Sequence, residues 1–167
     1  AMDAGTSVSE EVAKLAAERP EYADLINPWW DRWREMLGDE IPGTRTIAEE
    51  LKRSGKPVYA LTNWNAQTWE IGVAEFPFLG EVFDGIVVSG QEGVTKPDPR
   101  IFEILSNRYE LDPAATVFVD DSPRNIAAAA ALGYRAHLFT SAPELEAWLK
   151  AIDVLSSRSP GRSSARP

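Results

Sequence analysis

No cysteine occurs in the 167 residues. Disulfides, thiolate nucleophiles and cysteine-ligated metals are therefore excluded. Histidine occurs once, at His137, so a histidine-rich metal site is excluded as well. His137 reads better as a satisfied strand residue than as a base. No apolar run reaches the roughly 20 residues of a membrane span, and no signal-peptide pattern opens the chain. A soluble, cytoplasmic protein with no membrane partner is expected. Positive charge is also scarce. Lys and Arg total 17 against 26 Asp and Glu, a net charge of −9. Three of the arginines, Arg158, Arg162 and Arg166, sit near the C-terminus, so the body is more acidic still. Such a surface repels a phosphate backbone, and nucleic-acid binding is not expected.

What remains is an ordinary globular composition, 44% apolar, on a length that suits one domain. Ser7 and Glu10 have capping-box spacing, which predicts a helix to about Glu18, ended by Arg19-Pro20. Tyr22, Leu25, Ile26, Trp29, Trp33, Met36 and Leu37 fall on one helical face. Pro28 should kink that helix or start a new one. The tryptophans Trp29, Trp30 and Trp33 read as packing residues. Thr44 is expected to cap a helix that carries Ile47 and Leu51 and stops at Gly55.

Four apolar runs then alternate with helical patterns. Pro57 to Leu61, Phe83 to Val88, Thr116 to Val119 and Tyr134 to Phe139 read as strands. Helices are expected from near Asn65, from Pro99 with Asp98 as cap, from Pro123 to Leu132 with Gly133 beyond it, and from Ser141 to about Ile152. This alternation predicts an α/β fold with a Rossmann-like parallel sheet. The tail to Pro167 is rich in Ser, Arg and Pro and is expected to be disordered. No internal repeat is present.

The chemistry-bearing residues cluster at predicted strand ends. Asp120 and Asp121 follow the buried run Phe118-Val119, where adjacent carboxylates would repel each other and resist desolvation. Mg²⁺, which takes oxygen ligands from one or two carboxylates, would relieve both. A helix cap would account for Asp121 or Ser122 but not for Asp120. Thr62-Asn63 ends another strand, and a hydroxyl with nearby N–H groups can hold phosphoryl oxygens. Lys96 follows a third and supplies a point positive charge. In an open parallel sheet, ligands collect at the carboxyl ends of the strands.

On these residues the chain resembles the haloacid dehalogenase superfamily of hydrolases, over roughly residues 1–153. The matching motifs are Ala60-Leu61-Thr62-Asn63, Thr95-Lys96-Pro97-Asp98-Pro99 and Phe118-Val119-Asp120-Asp121-Ser122, with Gly90 and Gly93 before the lysine. The resemblance implies an α/β core over 41–153, a partial helical cap over 1–40 and a tail over 154–167. It implies Mg²⁺ held by Asp120 with help from Asp121. Thr62 and Asn63 would bind the phosphoryl group, Lys96 would orient nucleophile and phosphate, and Trp64 would lie near a small phosphorylated substrate.

One feature of the family has no match. Its members begin with a central strand bearing an aspartate nucleophile, and Asp3 follows no apolar run. The sequence is therefore read as truncated at its N-terminus. A Mg²⁺-dependent phosphatase working through an aspartyl-phosphate leads. The competing readings are a haloacid dehalogenase, which would not need an acidic metal pair, and a non-catalytic metal-binding or oligomerising module. The strand would lie between those ending at Thr62 and Asp120. Its neighbours are then expected about 9–10 Å apart, twice the usual strand spacing. Direct pairing of the two, a strand borrowed from a second copy in a homodimer, or an open and weakened sheet would resolve the gap.

Overall fold

Four four-residue strands form where the apolar runs predict them. They are β1 (Tyr59–Thr62), β2 (Gly85–Val88), β3 (Val117–Asp120) and β4 (Arg135–Leu138). The computed structural model describes residues 2–156. The predicted disorder of residues 157–167 lies outside these.

The helices are α1 (Val8–Glu18), α2 (Ala23–Ile26), α3 (Thr44–Arg53), α4 (Ala66–Glu75), α5 (Phe78–Glu81), α6 (Ser89–Glu92), α7 (Pro99–Arg108), α8 (Pro123–Ala131) and α9 (Ala142–Ala151). Several caps form as expected. The side chains of Asn65, Asp98 and Ser141 accept the N–H groups of Gln67, Arg100 and Glu144. Gly133 takes the left-handed φ that ends α8. Two caps differ. Ser7 turns its hydroxyl to Ser9 and makes no cap bond. Gly43, at φ 93°, is the residue before α3, while the Thr44 hydroxyl donates back to Ile41. The apolar face from Tyr22 to Leu37 is not one helix either. It breaks into α2 and short 3-10 turns, one of them at Asn27–Trp29 around Pro28. Pro28 has no N–H to continue a ladder. No helix among the described residues is long and apolar enough to cross a membrane.

β1 pairs with β2 and β3 with β4, both parallel, as two separate two-stranded sheets. No ladder joins β1 to β3, as the expected gap requires. Backbone directions show how the two halves face each other. The Val58 carbonyl accepts the Asp84 N–H on the β2 side. Strand alternation turns Tyr59 and Leu61 the other way. Likewise the Thr116 and Asp120 carbonyls accept the Arg135 and Phe139 N–H groups, so Val117 and Val119 face away from β4. Between the halves lies a cavity of about 470 Å³, lined by Val58, Tyr59 and Leu61 from one half and by Thr116, Val117 and Val119 from the other.

The core is correspondingly divided. Val87, Ile101, Phe102, Leu105, Phe118 and Tyr134 form one buried cluster, with Tyr59 and Leu61 against it. Ile47, Leu145, Leu149 and Leu155 form a second, with Val117 and Val119 against it. Leu155, only 3% exposed, packs into this second cluster. The N-terminal helical part is tied to the α/β part through the Val8 N–H, which donates to Gln67 Oε1.

Gly90 fixes how β2 and α6 meet the start of α4. A Cβ there would lie 2.4 Å from the Ala66 nitrogen and 2.8 Å from the Trp64 oxygen, both backbone atoms. Gly90→Ala is expected to cost about 1–3 kcal/mol by overpacking. Gly38→Ala, with nothing within 4 Å of the new carbon, should stay within about 0.5 kcal/mol of the parent. Urea unfolding of the two variants measures the contrast, and equal midpoints would rule out the close approach at Gly90.

Candidate active site

Three carboxyl strand ends converge on one ammonium group. Thr62 ends β1, Asp120 ends β3, and Lys96 lies on the loop beyond β2 and α6. Lys96 Nζ donates to the Leu61 carbonyl at 2.6 Å and to Asp120 Oδ2 at 2.7 Å. Both charged side chains are sequestered, Lys96 at 10% and Asp120 at 6% exposure. The ammonium also lies 5.8 Å from the centre of the Phe118 ring.

The Lys96 position is set from the backbone outward. The Asn63 side chain donates to the Lys96 carbonyl and accepts the Lys96 N–H, at 2.9 and 2.8 Å. Gly93 supplies a left-handed turn at φ 72° just before, and the Lys96–Pro97 peptide is cis. The Asn63 amide thus holds the lysine loop to the end of β1.

Asp120 is equally well held. Its Oδ1 accepts the Ser122 N–H and the Asn125 amide, each at 2.9 Å. Burial pushes its carboxyl pKa up. Lys96, the Ser122 N–H and Asn125 together outweigh that and hold it below the ordinary carboxylate value. The charged form is therefore kept in place. Asp121, the next residue, is exposed.

Mg²⁺ can be tested against this donor set. No group of three or more acidic or histidine residues suited to a metal occurs among the described residues. A carboxylate has about four lone-pair positions, and Asp120 uses three here. One position on Asp120 and the carboxylate of Asp121 remain. That suffices for an ion that keeps several waters and takes one or two protein carboxylates. The residues fit Mg²⁺ as a partial shell.

Trp64 follows Asn63, but its ring is committed to packing. It lies over Gly72 and against Trp33 and Trp69, with centroids at 6.1 and 5.2 Å. Its backbone is bound in both directions by the Ser89 hydroxyl, which is wholly buried. Asn65, 4% exposed, caps α4 and also donates to the Met2 and Thr6 carbonyls. The sequence reading missed Ser89 and Asn125. Asn125 carried a signal: it stands in the first turn of α8, where an amide can reach back to a carboxylate just before the helix.

His137 stacks on Trp148 at 4.0 Å and shares a 3.0 Å hydrogen bond with Glu144. It is satisfied on its strand, as expected, and stands apart from the Lys96 cluster.

A lysine, a hydroxyl residue and two successive aspartates thus stand at or just beyond the strand ends of a parallel α/β core. Comparison with known proteins gives the family. The model of the haloacid dehalogenase-like hydrolases matches residues 6–133, and the chain belongs to that family. A sesquiterpene phosphatase of Aspergillus oryzae is 35% identical over 103 residues, covering 60% of this chain and 52% of that protein. A D-ribitol-5-phosphate phosphatase of Bacteroides thetaiotaomicron is 32% identical over 152 residues, covering 75% of this chain and 71% of that protein. A haloacid dehalogenase family enzyme of B. thetaiotaomicron, solved as an Asp-to-Ala mutant with magnesium and inorganic phosphate, is similar at TM-score 0.65. It is 26% identical, with 84% of this chain and 74% of that one covered. The chain thus spans about half the length of the first of these relatives.

Asp98 offers a titration that reads the lysine loop. Its carboxylate accepts the Arg100 side chain and the Arg100 N–H, which hold its pKa at about 2 instead of 3.8. A lowered folded pKa contributes stability that is complete above the unfolded value and disappears as pH falls through the folded one. The stability difference between the parent and Asp98→Ala should be constant near neutrality and shrink between about pH 4 and 2. Urea midpoints across that range check it, and a difference independent of pH would refute the cap.

Proposed function

We propose that this chain carries the phosphoryl-binding and metal-binding part of a Mg²⁺-dependent phosphatase. It would act on a small phosphorylated metabolite through an aspartyl-phosphate. The observation that carries this is the Lys96 ammonium fixed between the β1 and β3 ends, 2.7 Å from Asp120. The two phosphatase relatives, and the neighbour solved with magnesium and phosphate, support the same reading.

In this reading the Thr62 hydroxyl and the backbone N–H groups after it receive phosphoryl oxygens. Lys96 holds a negative oxygen by charge and keeps a carboxylate nucleophile aligned. Asn63 acts through Lys96, by fixing its loop. Asp120 and Asp121 hold Mg²⁺, which neutralises charge on the transferring group. Residues 1–40 form a helical cap, with Trp64 beneath it. None of the described residues offers a nucleophile beside Lys96. Asp120 is bound by three donors and Asp121 is exposed. The aspartyl-phosphate step therefore calls on a carboxylate from outside the described residues.

Calorimetry tests the metal assignment. Mg²⁺ should bind the parent, and Asp120→Asn should weaken it by more than about tenfold. Equal affinities would remove Asp120 from the metal shell. Residues 1–167 alone should not turn over p-nitrophenyl phosphate. Steady turnover that Lys96→Ala abolishes would show that the chain contains its own nucleophile.

A further inference from the structure

Residues 2–8 are held down by side chains of one short stretch, residues 63–67. Asn65 is buried, and its amide is engaged through both its donor and its acceptor. Its Nδ2 donates to the Met2 carbonyl at 2.7 Å and to the Thr6 carbonyl at 2.9 Å. Its Oδ1 accepts the Gln67 N–H at 2.9 Å. Gln67 Oε1 in turn accepts the Val8 N–H at 2.8 Å. On the N-terminal side these contacts fall on backbone atoms, so they fix the path of the chain and not one particular side chain. Gly5 lies at φ 96°, and a Cβ on it would stand 2.8 Å from the Gly90 oxygen. The turn therefore seats its backbone directly on α6, the helix that leads into the Lys96 loop.

The same stretch holds the lysine. Asn63 accepts the Lys96 N–H and donates to the Lys96 carbonyl. Only Trp64 separates Asn63 from Asn65, and the peptides between them are planar and stiff. The Trp64 N–H donates to the Ser89 hydroxyl, and the Trp64 carbonyl accepts the Ser89 hydroxyl and the Gly90 N–H. Residues 63–67 are thus one rigid piece, with the N-terminal segment clamped at one end and the Lys96 loop at the other. A displacement of Asn65 carries Asn63 with it.

We propose that Asn65 is a positioning residue for Lys96: it makes the seating of residues 2–8 and the fixing of the lysine loop a single event. Release of Met2 and Thr6 from Asn65 loosens the Asn63 clamp. A small oxyanion seated at Lys96 tightens the hold on residues 2–8, because coupling of this kind is reciprocal. The link from Asn65 to the lysine loop stands on the hydrogen-bond geometry alone. Its consequence for an oxyanion rests on the phosphatase reading.

Amide hydrogen exchange reads both ends in the 167-residue protein. The Val8 N–H reports the hold on residues 2–8, and the Lys96 N–H reports the Asn63 clamp. Asn65→Ser keeps a neutral cap for α4 but is too short to reach the Met2 and Thr6 carbonyls. Asn65→Asp keeps the size and the acceptor and loses both donors, so the core stays filled. Each variant should speed exchange at Val8 and Lys96 by about fivefold over the parent. The Arg135 N–H, bound to the Thr116 carbonyl in the other half-sheet, should keep its rate. Faster exchange at all three amides, or at Val8 alone, would make Asn65 merely structural and overturn the proposal. Inorganic phosphate then reads the reverse direction. It should slow Val8 exchange in the parent, and its Kd should rise about fivefold in Asn65→Ser. Phosphate that binds both proteins equally and leaves Val8 unchanged would overturn the coupling and spare the anion reading. Absence of phosphate binding to the parent would overturn the anion reading, and the Lys96 rates would still decide the role of Asn65.

Discussion

The contact between Lys96 and Asp120 is what the rest of the site depends on. Removing two charges from water costs several kcal/mol per ion, and mutual attraction alone does not reliably offset it. Here additional hydrogen bonds do the remaining work. Lys96 also donates to the Leu61 carbonyl, and Asp120 also accepts from Ser122 and Asn125. The pair is therefore an ordered polar network rather than a lone ion pair, and loss of one partner would strand the other in a nearly dry place. It also joins parts of the chain that no strand pairing joins. The end of β1, the end of β3 and the Lys96 loop meet through it and through the Asn63 clamp on the Lys96 backbone.

The strands and the helices of the α/β part were legible because their signals are local. Short β-branched runs with Pro or Gly at their ends leave few alternatives, and Asp98, Asn65 and Ser141 cap by contacts within three residues. Features that sequence does not fix depend on information from farther away or on backbone angles. Gly43 and Thr44 are both plausible at a helix start, and only the φ of 93° at Gly43 decides between them. The stripe from Tyr22 to Leu37 has helical spacing, but the spacing cannot say whether one helix carries it or several turns.

The site was legible as a set of residues and less so as a set of roles. Lys96 and Asp120 meet beside the Leu61 carbonyl near the end of β1, as strand ends of a parallel fold share one edge. What each one touches depends on pairs such as Asn63 with Lys96, 33 residues apart in sequence. An amide after a strand end can bind a ligand or brace a loop, and the residue type is the same in both cases. Here both the donor and the acceptor of the Asn63 amide meet the Lys96 backbone.

The position of the cavity between the half-sheets relative to the polar cluster ties architecture to chemistry. Leu61 and Val119 line its carboxyl end, and Lys96 Nζ bonds the Leu61 carbonyl there. A parallel strand lying in the cavity would place its own next residue beyond that line, among Thr62, Lys96 and Asp120. Its side chain would enter a place where one ammonium and one carboxylate are already matched. An apolar side chain would bury both charges further without giving them a partner, which is costly. A polar side chain could share the ammonium with Asp120, and an acidic one would compete with it. The electrostatic balance at Lys96 is set by Asp120, the Leu61 carbonyl and the nearby Phe118 ring. That ammonium bridges the two half-sheets at their carboxyl ends, so any group entering there meets its charge first.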